Sequence, residues 1–419
     1  MRNASRRTFI KNTGLVTAGM LGGLMACSTD NKFEKVLVSP SERINLGIIG
    51  TGDRTNSQVL KALQYANEID VIACCDVLEE RLNQGLALAG PNSKGYKDYH
   101  KLLENKDLDA VAVITPLHLH HKMAMDALDA GFHVTCEKTM VYNTSQAFDL
   151  EAKVRQSNKA FRVSLEFRHH PMYLKVKELI SSGACGQITH VSCAWNRNGD
   201  WRRPVGNPKL ERHINWRLYN EYSKGLISEI ICHQIDLVNW MLDARPSQVQ
   251  GTGNINYWND GREVFDNVHL LFDYPKNITA SFKSITSNAK DGYHITLFGD
   301  KASIKIGFGE AHIYPERKLS KAEREKVDAI SGASIHWFDS PESQLIKYND
   351  AQWEKYSEVL GGYNLCTLIG YKHFAKQIKE NIAPDISIKA GKETSIAVDK
   401  ADIATKNKSI ELIDYQLTT

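Results

Sequence analysis

The stretch "INLGIIGTGDRTNSQVLKAL", Ile44 to Leu63, decides the fold. It opens as a short run of branched apolar residues, breaks at two glycines, and resumes with helix formers at helical spacing. A continuous apolar run is what a strand buried on both faces requires, and that is the habit of parallel sheets. Gly50 permits a tight turn, and Gly52 lets a ligand approach the backbone where the next helix begins. Three more runs repeat the pattern, "DVIACCD", "DAVAVIT" and "HVTCEK", each followed by a helix-length segment. Strands alternating with helices predict a parallel, doubly wound α/β sheet.

Gly50 and Gly52 fill the first two places of G-x-G-x-x-G, while Thr55 stands at the third and is expected to push helix and strand slightly apart. Asp76 ends the second strand, 24 residues after Gly52. An acidic side chain there hydrogen-bonds the ribose hydroxyls of a dinucleotide and repels a 2′-phosphate, so the pattern predicts NAD in preference to NADP. Asp53 and Arg54 in the same loop, Thr115 and Pro116 after "AVAVI", His120, and Glu137 after "HVTC" are assigned to the cofactor as well. These positions belong to the carboxyl edge of the strands, where open α/β sheets bind ligands. His118, His120 and His121 have no carboxylate or cysteine at ligand spacing, so they read as hydrogen-bonding pocket residues and no metal site is expected. Lys138 reads equally as a pocket or a surface residue.

From Gln187 the apolar runs change character. "ITHVSCAW", "NVHLLFDY", "ITASFKSI", "YHITLFG" and "ASIKIG" alternate apolar and polar residues, as antiparallel strands do. Residues 311–362 are polar, with a predicted surface helix in "SKAEREKVDAI" and two tryptophans, Trp337 and Trp353, readable as stacking or core residues. In "GLISEIICHQIDLVNWML", Ile227, Ile231, Val238 and Met241 form one stripe, and Glu229, His233, Asp236 and Trp240 share another face. The spacing alone describes a solvated face.

The chain opens with "SRRTFIK", Ser5 to Lys11, which resembles a twin-arginine export signal. The apolar stretch Leu15 to Ala26 falls short of the about 20 residues a spanning helix needs. It ends in "LMACS", similar to a lipobox, with Cys27 as the acylated thiol and residues 28–41 as a tether. An exported lipoprotein, periplasmic or on the outer membrane, is expected, touching the membrane only through its anchor. A formal net charge of +3 without a basic block argues against nucleic acid. The other seven cysteines form no C-x-x-C pair and mostly sit in apolar runs, as buried thiols do, though a disulfide stays open.

The order of GxG, Asp76, "TPLHLH" and "GFHVTCEK" resembles the Gfo/Idh/MocA family of sugar-acting oxidoreductases. "FRHHPMYLKVKELISSGACGQITHV" and "GLISEIICHQIDLVNWML" are similar to further family segments. The signal features assign residues 1–41 to export, and the resemblance implies a Rossmann domain over 44–167 and a substrate domain over 168–419. That last domain would be α+β, its open sheet mostly antiparallel, with 311–362 matching poorly. The family's Glu-Lys-Pro motif reads Glu137-Lys138-Thr139, so a looser turn is expected. By resemblance, His233 is the catalytic base, oriented or tuned by Glu229, and Lys138 polarises the substrate oxygen or shares the proton transfer. Arg168, Asn215, Trp216, Arg217 and Asp236 are implied substrate contacts. The implied activity is NAD(H)-dependent hydride transfer at a ring carbinol of a sugar or glycoside, by a homo-oligomer. Export in the folded state adds an expectation of tightly bound, internally recycled NAD. The alternatives are an NAD-dependent glycosidase, as in glycoside hydrolase family 109, and a non-catalytic sugar-binding lipoprotein.

Overall fold

The computed structural model describes residues 42–316, 320–322, 325, 326, 329, 344–346, 351–382 and 385–416. The export segment with Cys27, Trp337 and part of "SKAEREKVDAI" lie outside the described residues.

Six strands form a parallel sheet: β1 (Ile44–Ile49), β2 (Ile69–Cys75), β3 (Lys94–Tyr96), β4 (Ala110–Val113), β5 (His133–Cys136) and β6 (Phe161–Val163). Their order is β3-β2-β1-β4-β5-β6. Ile48 of β1 stands opposite Cys74 of β2 and Ala112 of β4, so the glycine loop leaves from the middle of the sheet, where the order reverses. That switch point is where such sheets bind nucleotides. Both faces are covered, which is why these strands read as unbroken apolar runs. On one face Val111, Val113 and Val134 belong to the same core as Ala124, Ala127 and Leu128 of α1 (His120–Asp129) and Ala147, Leu150 and Val154 of α2 (Thr144–Ser157).

The second sheet has nine strands among the described residues. They are β7 (Ile188–Trp195), β8 (Gln248–Asn254), β9 (Asn267–Tyr274), β10 (Ile278–Ile285), β11 (Tyr293–Gly299), β12 (Ala302–Ile306), β13 (Ala311–Pro315), β14 (Gln344–Leu345) and β15 (Ile410–Leu412). The order is β14-β13-β12-β11-β7-β10-β9-β8-β15, antiparallel except where β7 and β10 pair in parallel. Burial alternates strictly along β10, so one face turns inward. There Phe272, Phe282, Ile295 and Leu297 share a core with Ile235 and Val238 of α3 (Cys232–Leu242). Each such side chain contributes about 1.5–3 kcal/mol when fully buried.

Two helices then tie the sheets together. From α4 (Gly362–Lys379), Leu365, Leu368, Tyr371 and Phe374 cover the other face of the first sheet, beside Leu46, Ile48, Ala110 and Ala112. Gly370 is required by close approach, since a Cβ there would stand 2.1 Å from Arg162 Nη2. From α5 (Asp385–Asn407), Asp399 and Asp402 each meet Lys224 Nζ at 3.1 Å, fixing the loop that leads into α3. The described residues of 311–362 include β13, β14 and a helix, Ala351–Leu360, whose Trp353 is buried. All seven cysteines outside the N-terminal segment are buried and unpaired.

Candidate active site

The glycine loop is built as a cradle. Gly50 has φ 96°, and a Cβ on it would fall 2.4 Å from the Ile114 carbonyl oxygen, so no other residue fits. Thr55 does not spread strand from helix. Its hydroxyl donates to the Gly50 carbonyl at 2.5 Å and opens a π-helical turn, Thr55–Val59. At the end of β2 the Asp76 carboxylate accepts the backbone N–H groups of Thr51 and Leu78, both at 2.9 Å, which fixes it at the rim. Every residue assigned to the cofactor, from Gly50 and Gly52 through Asp76 to Glu137, lines one cavity of about 480 Å³. A glycine turn that admits no Cβ, an open Gly52 and a held carboxylate fit a dinucleotide.

Arg54 and Glu137 are turned towards each other. Arg54 Nε donates to Glu137 at 2.9 Å and its Nη2 to Glu166 at 3.0 Å, while Arg162 meets the other Glu166 oxygen at 2.7 Å. Burial alone would raise the Glu137 carboxyl, but the Arg54 guanidinium outweighs it and holds that group below the usual range. Glu166 is instead raised, because burial outweighs the pull of Arg162 and Arg54. His120 lies between the two loops of the cavity mouth, its ring nitrogens 2.8 Å from the Thr115 oxygen and 2.9 Å from that of Thr139, and burial favours the neutral ring, which donates to one of them. His118 packs tilted against Tyr222 and His121 lies 3.9 Å from Asp149, so the three histidines part company.

A second cavity, about 1030 Å³, shares Lys138, Arg217, Glu229 and Tyr363 with the first. Lys138 and His233 both stand on its wall. Lys138 Nζ donates to the Glu229 backbone oxygen at 3.0 Å, and Thr139 Oγ1 to that of Ser228 at 2.9 Å. Both carbonyls belong to a π-helical turn, Ile227–Ile231, that precedes α3. The proline of the family motif is therefore replaced by a hydrogen bond, and the turn is not loose.

Glu229 does not orient His233. Its carboxylate takes Arg217 Nε at 3.1 Å, Ser223 at 3.2 Å and Ser228 at 3.3 Å, and stands 3.9 Å from Lys138. The cause is the π turn, which breaks the four-residue stacking an α-helix would give. Although burial pushes the Glu229 carboxyl up, Lys138 and Arg217 bring it below its ordinary value. His233 packs edge-on to Phe167, with ring centres 5.3 Å apart, and tilted against Trp195. Burial, reinforced by Lys138, Arg54 and Arg197, holds its imidazole well below the usual value, so the ring is neutral.

Three assigned substrate contacts lie elsewhere. Arg168 grips Asp236 with bonds of 2.7, 2.9 and 3.1 Å and stacks on Trp240, and neither Arg168 nor Asp236 lines either cavity. Opposite charges buried side by side satisfy each other before any ligand. Asn215 is also buried, exchanging bonds of 2.7 and 3.0 Å with the backbone of Arg203. It shapes the loop that carries Trp216 and Arg217, which line the dinucleotide cavity. Sequence reasoning missed Arg203, which pairs with Asp53 across the cavity mouth, and Trp195, Arg197 and Trp201 of the second cavity. A signal was present for two of these: Trp195 and Arg197 are two apart, hence on one face of an extended chain.

A glycine cradle, a held acidic residue and a lysine–histidine wall beside it define a nicotinamide-dinucleotide oxidoreductase class. The chain belongs to the GFO/IDH/MocA family: residues 44–165 match the "Oxidoreductase family, NAD-binding Rossmann fold" and residues 173–305 the "GFO/IDH/MocA C-terminal domain". Among its relatives, inositol 2-dehydrogenase of Salmonella typhimurium is 25% identical over 202 residues, 48% of this chain and 55% of that protein. A glycosyl hydrolase family 109 protein of a Shewanella species is 24% identical over 255 residues, 55% of each chain. This chain thus spans about half the length of the curated relatives it matches. Levoglucosan dehydrogenase, solved with NADH and levoglucosan, shares the fold with a TM-score of 0.71 over 88% of this chain and 99% of that one, at 17% identity.

Proposed function

We propose that the protein oxidises a carbinol carbon of a sugar or glycoside, using NAD that it holds tightly. The observation that carries this is the junction of the two cavities at Lys138, Arg217, Glu229 and Tyr363, with His233 beside it. When bound, NAD supplies the hydride acceptor; the proton is left to the chain. Lys138 places an N–H on the carbinol oxygen, held to its task by the Glu229 backbone oxygen. Neutral His233 has a ring nitrogen ready to take the hydroxyl proton. Phe167 and Trp195 pack against that ring.

Retention of the cofactor is supported by the loop bearing Arg203, His213 and Trp216, which lines the dinucleotide cavity from the second half of the chain, and by the Arg203–Asp53 pair. Export of the folded, loaded protein through its Arg6-Arg7 signal is the matching proposal, because bound ligand stabilises the folded state before transport. A second reading, glycosidic cleavage by transient oxidation, is favoured by the longer match to the family 109 relative than to the inositol dehydrogenase. Incubation of the purified protein with a glycoside panel decides between them. Keto-sugar as the end product supports oxidation, free sugar supports cleavage, and neither in any arm removes both.

A further inference from the structure

We infer that Arg197 is a receptor for an oxyanion on the substrate, so that the sugar taken is an acidic one, bearing a uronate carboxylate or a sulfate ester. The inference rests on the sugar-oxidoreductase reading above and names its substrate class.

Five arginines line the larger cavity, and four of them are answered. Arg54 is held by Glu137 and Glu166, Arg202 by Asp260 at 3.0 Å, Arg203 by Asp53 and Arg217 by Glu229. Arg197 pairs with no carboxylate among the described residues. Glu229 also serves Lys138, so this wall of the cavity carries positive charge in excess. Arg197 is half-buried, and its partial burial without a counter-charge lowers the guanidinium from its ordinary value. Such a group is held in place only by a rigid frame.

That frame is visible. The Arg197 N–H donates to the Ile285 oxygen at 2.8 Å and the Gly199 N–H to that of Thr286 at 3.0 Å, so the chain beyond β7 is bonded to the end of β10 and the residue after it. The guanidinium lies 5.2 Å from the ring centre of Trp195 and 5.8 Å from that of Trp201. Contacts of this kind with ring faces do not consume N–H donors, and no hydrogen bond from the guanidinium to a carboxylate is present among the described residues. An edge of parallel N–H groups matches two oxygens of a carboxylate or sulfate. His233 borders the same cavity, and Arg197 is one of the charges acting on it, so the bound anion would sit within reach of the catalytic wall.

The test is calorimetric titration of the NAD-loaded protein with matched pairs: methyl glucoside against methyl glucuronide, and glucose or galactose against its 6-sulfate. The wild type is expected to bind the acidic member of at least one pair about tenfold tighter or more, the scale of a charge-assisted hydrogen bond. Arg197→Gln should erase most of that preference and Arg197→Lys should keep part of it. The uronate and sulfate arms tell which oxyanion is read. Equal affinity within every pair, or a preference that survives Arg197→Gln in a variant melting near the wild type, overturns the inference. If that variant does not fold, the wild-type ratios decide alone. Binding of acidic sugars without any oxidised product would sink the oxidoreductase reading and leave this one standing. Oxidation of neutral sugars with no acidic preference would do the reverse.

Discussion

Lys138 is positioned by main chain: its ammonium donates to the Glu229 carbonyl oxygen at 3.0 Å, closer than the 3.9 Å to the Glu229 carboxylate. The two contacts separate placement from charge. Lys138→Ala is therefore expected to cut turnover by about 10²–10⁴, the share of a positioned proton-transfer group, with NAD still bound. Glu229→Gln keeps the carbonyl and should cost far less than Lys138→Ala. Steady-state kinetics on both variants check this; equal losses would place the control of Lys138 in the carboxylate.

His233→Ala should lower turnover on the same scale, about 10²–10⁴. Because its folded value lies well below 6.5, the ring stays neutral as pH falls through 6.5. The acid limb of the turnover profile should accordingly fall below that pH. A limb centred on 6.5 would mean that His233 titrates as an ordinary exposed imidazole.

Acid should also unfold the protein through His170. Its Nδ1 accepts the Met172 N–H at 3.1 Å and caps the helix Pro171–Ser181, and burial pushes the ring from 6.5 down to about 4. The unfolded chain takes up that proton near 6.5 while the folded one resists it until about 4, so stability falls with pH across this window. Tm measured from neutral pH down to about pH 4 should drop, and His170→Asn, which also caps, should flatten the slope. An unchanged slope would assign the acid sensitivity to other groups.

Asp76 sets cofactor choice in this account. With its oxygens aligned by Thr51 and Leu78, it repels a 2′-phosphate. Asp76→Ala should weaken NAD binding and narrow the preference over NADP, measured as the ratio of the two Kd values. A wild type that already favours NADP would refute the reading.

What the sequence revealed follows from physics that acts locally. Strands that lie in continuous apolar runs, such as β1, β2, β4 and β5, announced themselves, as did the glycine loop and Asp76, whereas β13 was hidden in a polar stretch. β3 and β6 are three residues each, too short to show a period, and β8 carries Gly251 and Gly253 in place of an alternating pattern. The pairing of Arg168 with Asp236 was illegible because spacing tells which residues share a face but not what that face meets. Glu229 was misjudged because a π turn, which no local signal marks, displaced it from His233. For Arg197, the two-residue spacing from Trp195 was legible, but the lack of a carboxylate partner was not.

The most direct test of the central claim is turnover by extensively dialysed protein with no NAD added, a denatured aliquot being assayed for dinucleotide. The account predicts nearly stoichiometric bound dinucleotide, and oxidised sugar accumulating over many turnovers once a keto-sugar is present to return the hydride. It also predicts loss of that activity in Lys138→Ala and His233→Ala. An empty site after dialysis, with activity strictly following added NAD, would contradict the self-contained cofactor; full activity in both variants would contradict the catalytic wall.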